Sequence, residues 1–230
     1  MTELTATPGR VPHHRAVFTV TALGAFMASL DLSIVNVAFP ALERTFNHAS
    51  SATLAWVITG YAIVFGALLV IAGRTADRLG SRRVFFVGLG VFTAGSALCG
   101  AAPSLGLLIA GRLVQGAGAA ALLPASLALL LAAYPAQRRS QVVAMWGGIG
   151  ALAVATGPSL GAALITAISW RAAFYVNLPV GVVAFVLGRR TLPRLRPAST
   201  GAYPDYPGVA LVGVALAALV LAISEGPTWG

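Results

Sequence analysis

The feature that most constrains this sequence is a set of apolar runs, each about twenty residues long, that recur along the chain. A hydrocarbon core of about 30 Å takes about twenty helical residues to cross, so each run is long enough for one crossing. Charged residues make up only 9% of the chain, whereas soluble domains carry about a quarter. The runs are continuous and lack the alternating pattern of membrane β-strands. The sequence therefore predicts an all-α membrane protein.

Seven membrane spans are predicted, preceded by a polar tail over residues 1–15 that does not resemble a cleavable signal peptide. The predicted spans cover residues 16–42, 53–73, 84–102, 106–133, 142–166, 172–188 and 208–223. An Arg- and Pro-rich linker over 189–207 separates a six-span bundle, 16–188, from the seventh span. Residues 208–230 hold that span and its outer end. Because the number of spans is odd, we expect the sequence to be the N-terminal portion of a longer protein.

The arginines are distributed unevenly between the two sides of the membrane. The chain has fifteen arginines, no lysine and a net charge of +9. Twelve arginines lie in the N-terminal tail and in the links after spans two, four and six, whereas the opposite links hold only Arg44 and Arg171. Loops rich in positive charge stay on the cytoplasmic side, so the N-terminus is predicted to be cytoplasmic. The basic excess thus reflects topology, and no nucleic-acid partner is predicted.

Two charged residues, Asp31 and Arg112, lie inside predicted spans. An ionisable group in hydrocarbon costs several kcal/mol, which makes both residues functional candidates. At 1.5 Å per residue they lie roughly 15 and 9 Å below the outer surface, so they can meet or share a cavity. The aspartate can exchange protons there while the arginine stays charged, and Gln115 can hydrogen-bond on the same helical face. The alternative is an ion pair that only fixes packing.

Other residues of the spans provide weaker candidates. Phe26, Tyr61, Phe65 and Gln115 can line a substrate cavity, although aromatic residues at helical spacing also serve as plain packing. The histidines lie outside the predicted spans, and neither a metal-spaced cluster nor a nucleophile with a paired base is present in the sequence. We therefore predict no catalytic residue, no metal site and no cofactor, and a membrane enzyme is the least favoured class.

The fifth span is unusually rich in glycine. Gly157 and Gly161 form a small-xxx-small face that favours close backbone approach to another helix. Pro158 lies between them, and a proline inside a helix frees a carbonyl and bends the helix. A packing role without mechanism remains the alternative, because glycine is common in membrane helices.

The link between spans two and three reads GRTADRLGSRR. Gly73 and Gly80 are predicted to permit a tight reversal of the chain. Asp77 can pair with a nearby arginine or with a helix N-terminus. The arginines of the link, among them Arg78 and Arg82, hold it on the cytoplasmic side. A topology anchor alone is the alternative function.

In order, these segments resemble the major facilitator superfamily, and within it the fourteen-span drug:proton antiporters. LDLSIVNVAFPAL is similar to that subfamily's first-helix motif, RLVQGAGAA to its fourth-helix motif and GPSLGAAL to its fifth-helix antiporter motif. WRAAFYVNLPVG resembles the start of its sixth span, and GRTADRLGSRR resembles the superfamily's conserved cytoplasmic loop. Two positions depart from the usual pattern, with Thr75 in place of leucine and Ala162 in place of glycine.

The resemblance implies a fold and a function. The fold is an N-terminal six-helix bundle, built as a 3+3 inverted repeat, plus a seventh helix, and the C-terminal bundle is missing. Asp31 carries the proton, Arg112 polarises the site, the glycines of span five seal a helix interface, and Asp77 latches the cytoplasmic gate. The implied function is proton-coupled efflux of drugs by alternating access in the cell (inner) membrane, with the proton gradient as the energy source.

Partners follow from the same resemblance. They are the lipid bilayer, a small drug-like substrate and the missing C-terminal half. Two alternatives stay open, namely a non-transporting membrane half that binds a partner half, and a half-transporter completed by self-association.

Overall fold

The computed structural model describes residues 14–193 and some positions between 207 and 222. Its helices are α1 (His14–Thr45), α2 (Ser51–Leu79), α3 (Ser81–Ala101), α4 (Leu105–Ala133), α5 (Ala136–Ala167), α6 (Ala172–Tyr175) and α7 (Asn177–Thr191). Among the described residues, six segments are long and apolar enough to cross a membrane, and α6 with α7 forms the sixth. The all-α prediction and its six-span bundle are confirmed. The rest of the tail, most of the linker and several positions of the predicted seventh span lie outside the described residues.

Two of the helices, α2 and α4, begin at a serine whose hydroxyl satisfies a free backbone N–H group. The Ser50 hydroxyl accepts a hydrogen bond from the Thr53 amide at 3.1 Å, which caps the start of α2. The Ser104 hydroxyl caps α4 in the same way. Several helices extend beyond the predicted apolar runs, because a helix does not have to end where its hydrophobic stretch ends. Thus α7 continues to Thr191, past residue 189 where the linker is predicted to begin.

The link between spans two and three is not a loop. α2 continues through Leu79, and α3 begins at Ser81, so one residue separates the two helices. That residue is Gly80, whose φ of 91° lies in the left-handed region that favours glycine. The prediction for Gly80 is confirmed, whereas the prediction that Gly73 helps reverse the chain is wrong. Gly73 lies inside α2, because the Arg, Ala and Leu residues of this segment are good helix formers.

The packing of the helices follows an inverted repeat. α1 packs on α5 and α2 on α4, while α3 packs on α4 and the sixth span packs on α1. Exchanging the first three spans with the last three converts each of these pairs into another pair that is present. These helix contacts are those expected of the predicted 3+3 inverted repeat.

Glycines allow the central helices to approach closely. A Cβ added at Gly118 of α4 would lie 2.3 Å from the Phe92 amide nitrogen of α3. A Cβ added at Gly88 of α3 would lie 2.7 Å from the Leu122 nitrogen of α4. No side chain fits in either place, so α3 and α4 form a backbone-to-backbone seam typical of membrane helices.

The six spans differ in how much of their surface the bundle covers. Most of the apolar window of α1 and of α4 is buried, whereas only a small part of that of α2 and α5 is buried. α1 and α4 are therefore the central helices of the bundle. They carry the two charged residues that the sequence places inside the membrane.

Candidate functional site

Asp31 of α1 and Arg112 of α4 form an ion pair in the middle of the bundle. The Arg112 Nη1 and Asp31 Oδ2 atoms are 2.5 Å apart, and the side chains are only 1% and 0% exposed. They are the only charged residues that are buried in the part of the chain that the structure describes. The contact that the estimated depths allow is therefore present.

The guanidinium of Arg112 makes several contacts at once. Its Nε donates to the Val57 carbonyl of α2 at 2.8 Å, and its Nη1 also donates to Gln115 Oε1 at 2.8 Å. The plane of Tyr61 lies against it, with the ring centroid 4.1 Å from the guanidinium carbon. A planar, delocalised cation can bond in its plane and stack on an aromatic face together, which an ammonium group cannot do equally well. Arg112 thus connects α4 to both α1 and α2.

The second oxygen of Asp31 accepts hydrogen bonds from two amides. Gln115 Nε2 donates to Asp31 Oδ1 at 2.7 Å, and Asn177 Nδ2 donates to the same atom at 3.3 Å. Both amides also donate to the Ser96 hydroxyl of α3, at 2.7 and 2.9 Å. The carboxylate thereby receives donors from Arg112, Gln115 and Asn177, and the five side chains form one buried polar network. Burial of polar groups is tolerated where they satisfy one another in this way.

Ser96 and Asn177 were not identified from the sequence. Asn177 lies within the segment WRAAFYVNLPVG, at the first position of α7, where an amide inside an apolar run is a recognisable signal. Ser96 has only a small hydroxyl in an otherwise apolar span, which gives little signal. Both residues are buried, at 0% and 1% exposure for Ser96 and Asn177 respectively.

The network combines two groups with different chemistry. A carboxylate can accept a proton and become neutral, whereas a guanidinium stays charged in proteins. Proton uptake by Asp31 therefore removes one charge of the pair and leaves the other.

The four residues predicted to line a cavity have different surroundings. Tyr61 and Gln115 are fully buried, and both contact Arg112. Phe26 and Phe65 are half-buried, and Phe65 stacks on Tyr61 with centroids 6.1 Å apart. Tyr61 and Gln115 are closed off in this conformation, and substrate contact by any of the four stays a prediction.

The predicted gating segment lies at the end of α2 and the start of α3. Asp77 is exposed on the last turns of α2. Arg82 Nη2 donates to the Arg189 carbonyl at 3.0 Å, and its guanidinium lies over the Phe86 ring. This arrangement connects the start of α3 to the end of α7, and it leaves the Asp77 carboxylate on the surface.

The glycines of span five lie against α1. A Cβ added at Gly157 would lie 2.3 Å from Ser33 Oγ, and one added at Gly161 would lie 2.8 Å from Ile34 Cγ1. The predicted close approach is present. Pro158 itself is exposed.

Comparison with known proteins supports the same fold and class. Residues 21–219 match the Major Facilitator Superfamily. The chain is 38% identical over 213 residues to the methylenomycin A resistance protein of Streptomyces coelicolor, covering 92% of this chain and 44% of that protein. It is 39% identical over 211 residues to the multidrug resistance protein Stp of Mycobacterium tuberculosis, covering 91% of this chain and 39% of that protein.

A solved structure has the same fold. The human organic anion transporter MFSD10 superposes with a TM-score of 0.70 at 21% identity, over 92% of this chain and 56% of that chain. The chain spans less than half the length of the two curated relatives. Its fold, its multiple membrane spans and its similarity to resistance proteins agree with each other, and the chain belongs to the major facilitator superfamily.

Proposed function

We propose that this chain is the N-terminal half of a proton-coupled exporter of drug-like small molecules. The observation that carries the proposal is the buried ion pair of Asp31 and Arg112, enclosed by amide and hydroxyl groups. A charged pair at this depth is costly, and residues of this kind mark ion and proton pathways in membrane proteins. The similarity to methylenomycin A and multidrug resistance proteins supports export as the direction of transport.

Proton exchange at Asp31 is proposed to drive the conformational cycle. With its charge present, the carboxylate holds Arg112, Gln115 and Asn177 around it. Protonation removes the attraction to Arg112, so the contact between α1 and α4 weakens. Substrate release and proton uptake then alternate as one bundle rocks against the other around a site near the membrane midplane.

The missing partner of this half is proposed to be a C-terminal bundle. Only a small part of the apolar windows of α2 and α5 is buried, and a second bundle would cover their remaining surface. The exposed Asp77 at the end of α2 is proposed to contact the second bundle as a cytoplasmic gate. We propose that the protein lies in the cell membrane. Its N-terminus is proposed to be cytoplasmic, because the tail and the links on the same side of the membrane hold twelve arginines.

Drug-driven proton exchange in proteoliposomes tests the proton assignment. The native gene product is compared with its Asp31→Asn variant, which keeps the shape of the side chain and cannot bind a proton. We expect the variant to lose proton exchange while it still elutes as a folded protein in detergent. Glu43→Gln is the matched control, because Glu43 is an exposed acid near the end of the same helix. Drug-driven proton exchange at the normal rate by Asp31→Asn would contradict the assignment of Asp31 as the proton carrier.

The second candidate is a membrane half that does not transport and instead binds a partner half. The uncovered faces of α2 and α5 favour such an interface. One experiment distinguishes the exporter half from the binding half. The 230 residues and a complementary second bundle are expressed as separate tagged chains. Co-purification with drug export supports the exporter, whereas co-purification without export supports the binding half.

A further inference from the structure

A proline inside a membrane helix leaves one backbone carbonyl without its usual partner. Pro158 has no N–H, so it cannot donate to the carbonyl four residues earlier, which is that of Val154. Both residues are exposed on α5, where water is not available if this face lies in the membrane. At that depth a backbone carbonyl needs a protein partner.

The Val154 carbonyl has such a partner on another helix. Ser33 Oγ of α1 donates to the Val154 oxygen at 2.8 Å. The two helices are close enough for this bond because Gly157 has no side chain at the crossing, where an added Cβ would lie 2.3 Å from Ser33 Oγ. The proline thus exposes the acceptor, and the glycine beside it admits the donor.

We propose that Ser33 is a positioning residue, which replaces the N–H that Pro158 lacks and thereby fixes the register of α1 against α5. Its hydroxyl is the connection between the two helices at the proline, while Ile34 packs on Gly161 one turn further along α5. The proposal concerns the helix pair alone, and it holds whether or not the protein moves protons.

A second contact between α1 and α5 provides a way to measure the register of the two helices. Ser29 lies one turn before Ser33 on α1, and a Cβ added at Gly150 of α5 would lie 3.2 Å from its Oγ. Cysteines at these two positions are within reach of a disulfide bond. The rate at which they cross-link reports how firmly α1 is held against α5.

A double-mutant cycle on the native gene product tests the proposal. Ser33→Ala removes the donor, and Pro158→Ala returns an N–H to α5 so that the Val154 carbonyl regains a partner within its own helix. In the Pro158 background we expect Ser33→Ala to lower the midpoint of thermal unfolding in detergent by about 2–4 °C. In the Pro158→Ala background the same change is expected to shift the midpoint by less than half as much.

The cross-linking assay uses Ser29→Cys with Gly150→Cys. The rate is measured in the presence and absence of Ser33→Ala and Pro158→Ala, as in the unfolding cycle. Ser33→Ala is expected to slow cross-linking at least twofold, and Ser33→Thr, which keeps the hydroxyl, is expected to restore the rate. Ser29→Ala alone, tested in the unfolding assay, is the control for loss of any serine from this face of α1.

Each result bears on the proposal. A reduced effect of Ser33→Ala in the Pro158→Ala background supports it, as does rescue by Ser33→Thr. Equal effects of Ser33→Ala in both backgrounds would overturn it, because the hydroxyl would then not be compensating for the proline. An effect of Ser29→Ala as large as that of Ser33→Ala, without dependence on Pro158, would overturn it as well.

Discussion

Removing one partner of the buried ion pair is expected to destabilise the bundle unequally, depending on which partner is removed. In Asp31→Asn the guanidinium of Arg112 keeps its charge and loses its counter-charge at a position that is 1% exposed. In Arg112→Gln the remaining carboxyl group can take up a proton and become neutral, while Gln115 and Asn177 still contact it. Asp31→Asn is therefore expected to be the more damaging change.

The magnitude follows from the burial of the pair. Leaving a buried charge without its partner costs about 3–5 kcal/mol, whereas leaving a neutral buried group with a lost hydrogen bond costs about 1–3 kcal/mol. For a protein of this size, 1 kcal/mol corresponds to roughly 2–4 °C in the unfolding midpoint. We expect a decrease of roughly 6–20 °C for Asp31→Asn and a smaller decrease, roughly 2–12 °C, for Arg112→Gln.

The assay is thermal unfolding of the detergent-solubilised protein at one detergent concentration and one pH. The double variant Asp31→Asn with Arg112→Gln completes the cycle. It contains no unpaired charge, so it is expected to be more stable than Asp31→Asn alone. Equal midpoints for the two single variants, or a double variant whose loss equals the sum of the single losses, would refute the reasoning.

Two further predictions concern other contacts of the bundle. Asn177→Leu removes a donor to the carboxylate and is expected to cost about 1–3 kcal/mol, measured by the same unfolding assay, while an unchanged midpoint would contradict the network. Gly161→Leu places a carbon 2.8 Å from Ile34 Cγ1 and is expected to lower stability by about 1–3 kcal/mol. Gly147→Leu is its control, because nothing lies within 4 Å of that position and the midpoint is expected to stay unchanged.

The spans were predictable because the bilayer fixes how long an apolar helix has to be. The first six of the seven predicted apolar runs each correspond to a helix or helix pair in the described residues. The ends were less predictable, since a helix continues into water wherever its residues favour helix and ends at a cap. The segment after Gly73 illustrates this, because a charged sequence that suggests a loop is the last part of α2.

The ion pair was predictable because charge inside the membrane is costly and therefore rare. The depth estimates for Asp31 and Arg112 differ by roughly one helical turn, and the long side chain of arginine spans that difference. Ser96 and Asn177 were missed because neutral polar groups are far cheaper to bury, so their presence in a span points to no single role. Which polar groups share one site depends on the rotation of each helix, which spacing within one helix does not give.

The rotation of α1 explains how one helix carries both the ion pair and the proline seam, which is the contact of Ser33 with the Val154 carbonyl beside Pro158. Asp31 and Ser33 are two residues apart, and a helix turns by about 100° per residue, so their side chains leave α1 in nearly opposite directions. One direction leads to Arg112 and Asn177, and the other leads to the Val154 carbonyl of α5. A displacement of α1 at the ion pair is then also a displacement at the seam, because both are attached to the same rigid helix. Coupling between the two places needs no chain of intervening side chains, and the cross-linking rate at the seam is therefore expected to change when Asp31 is replaced by asparagine.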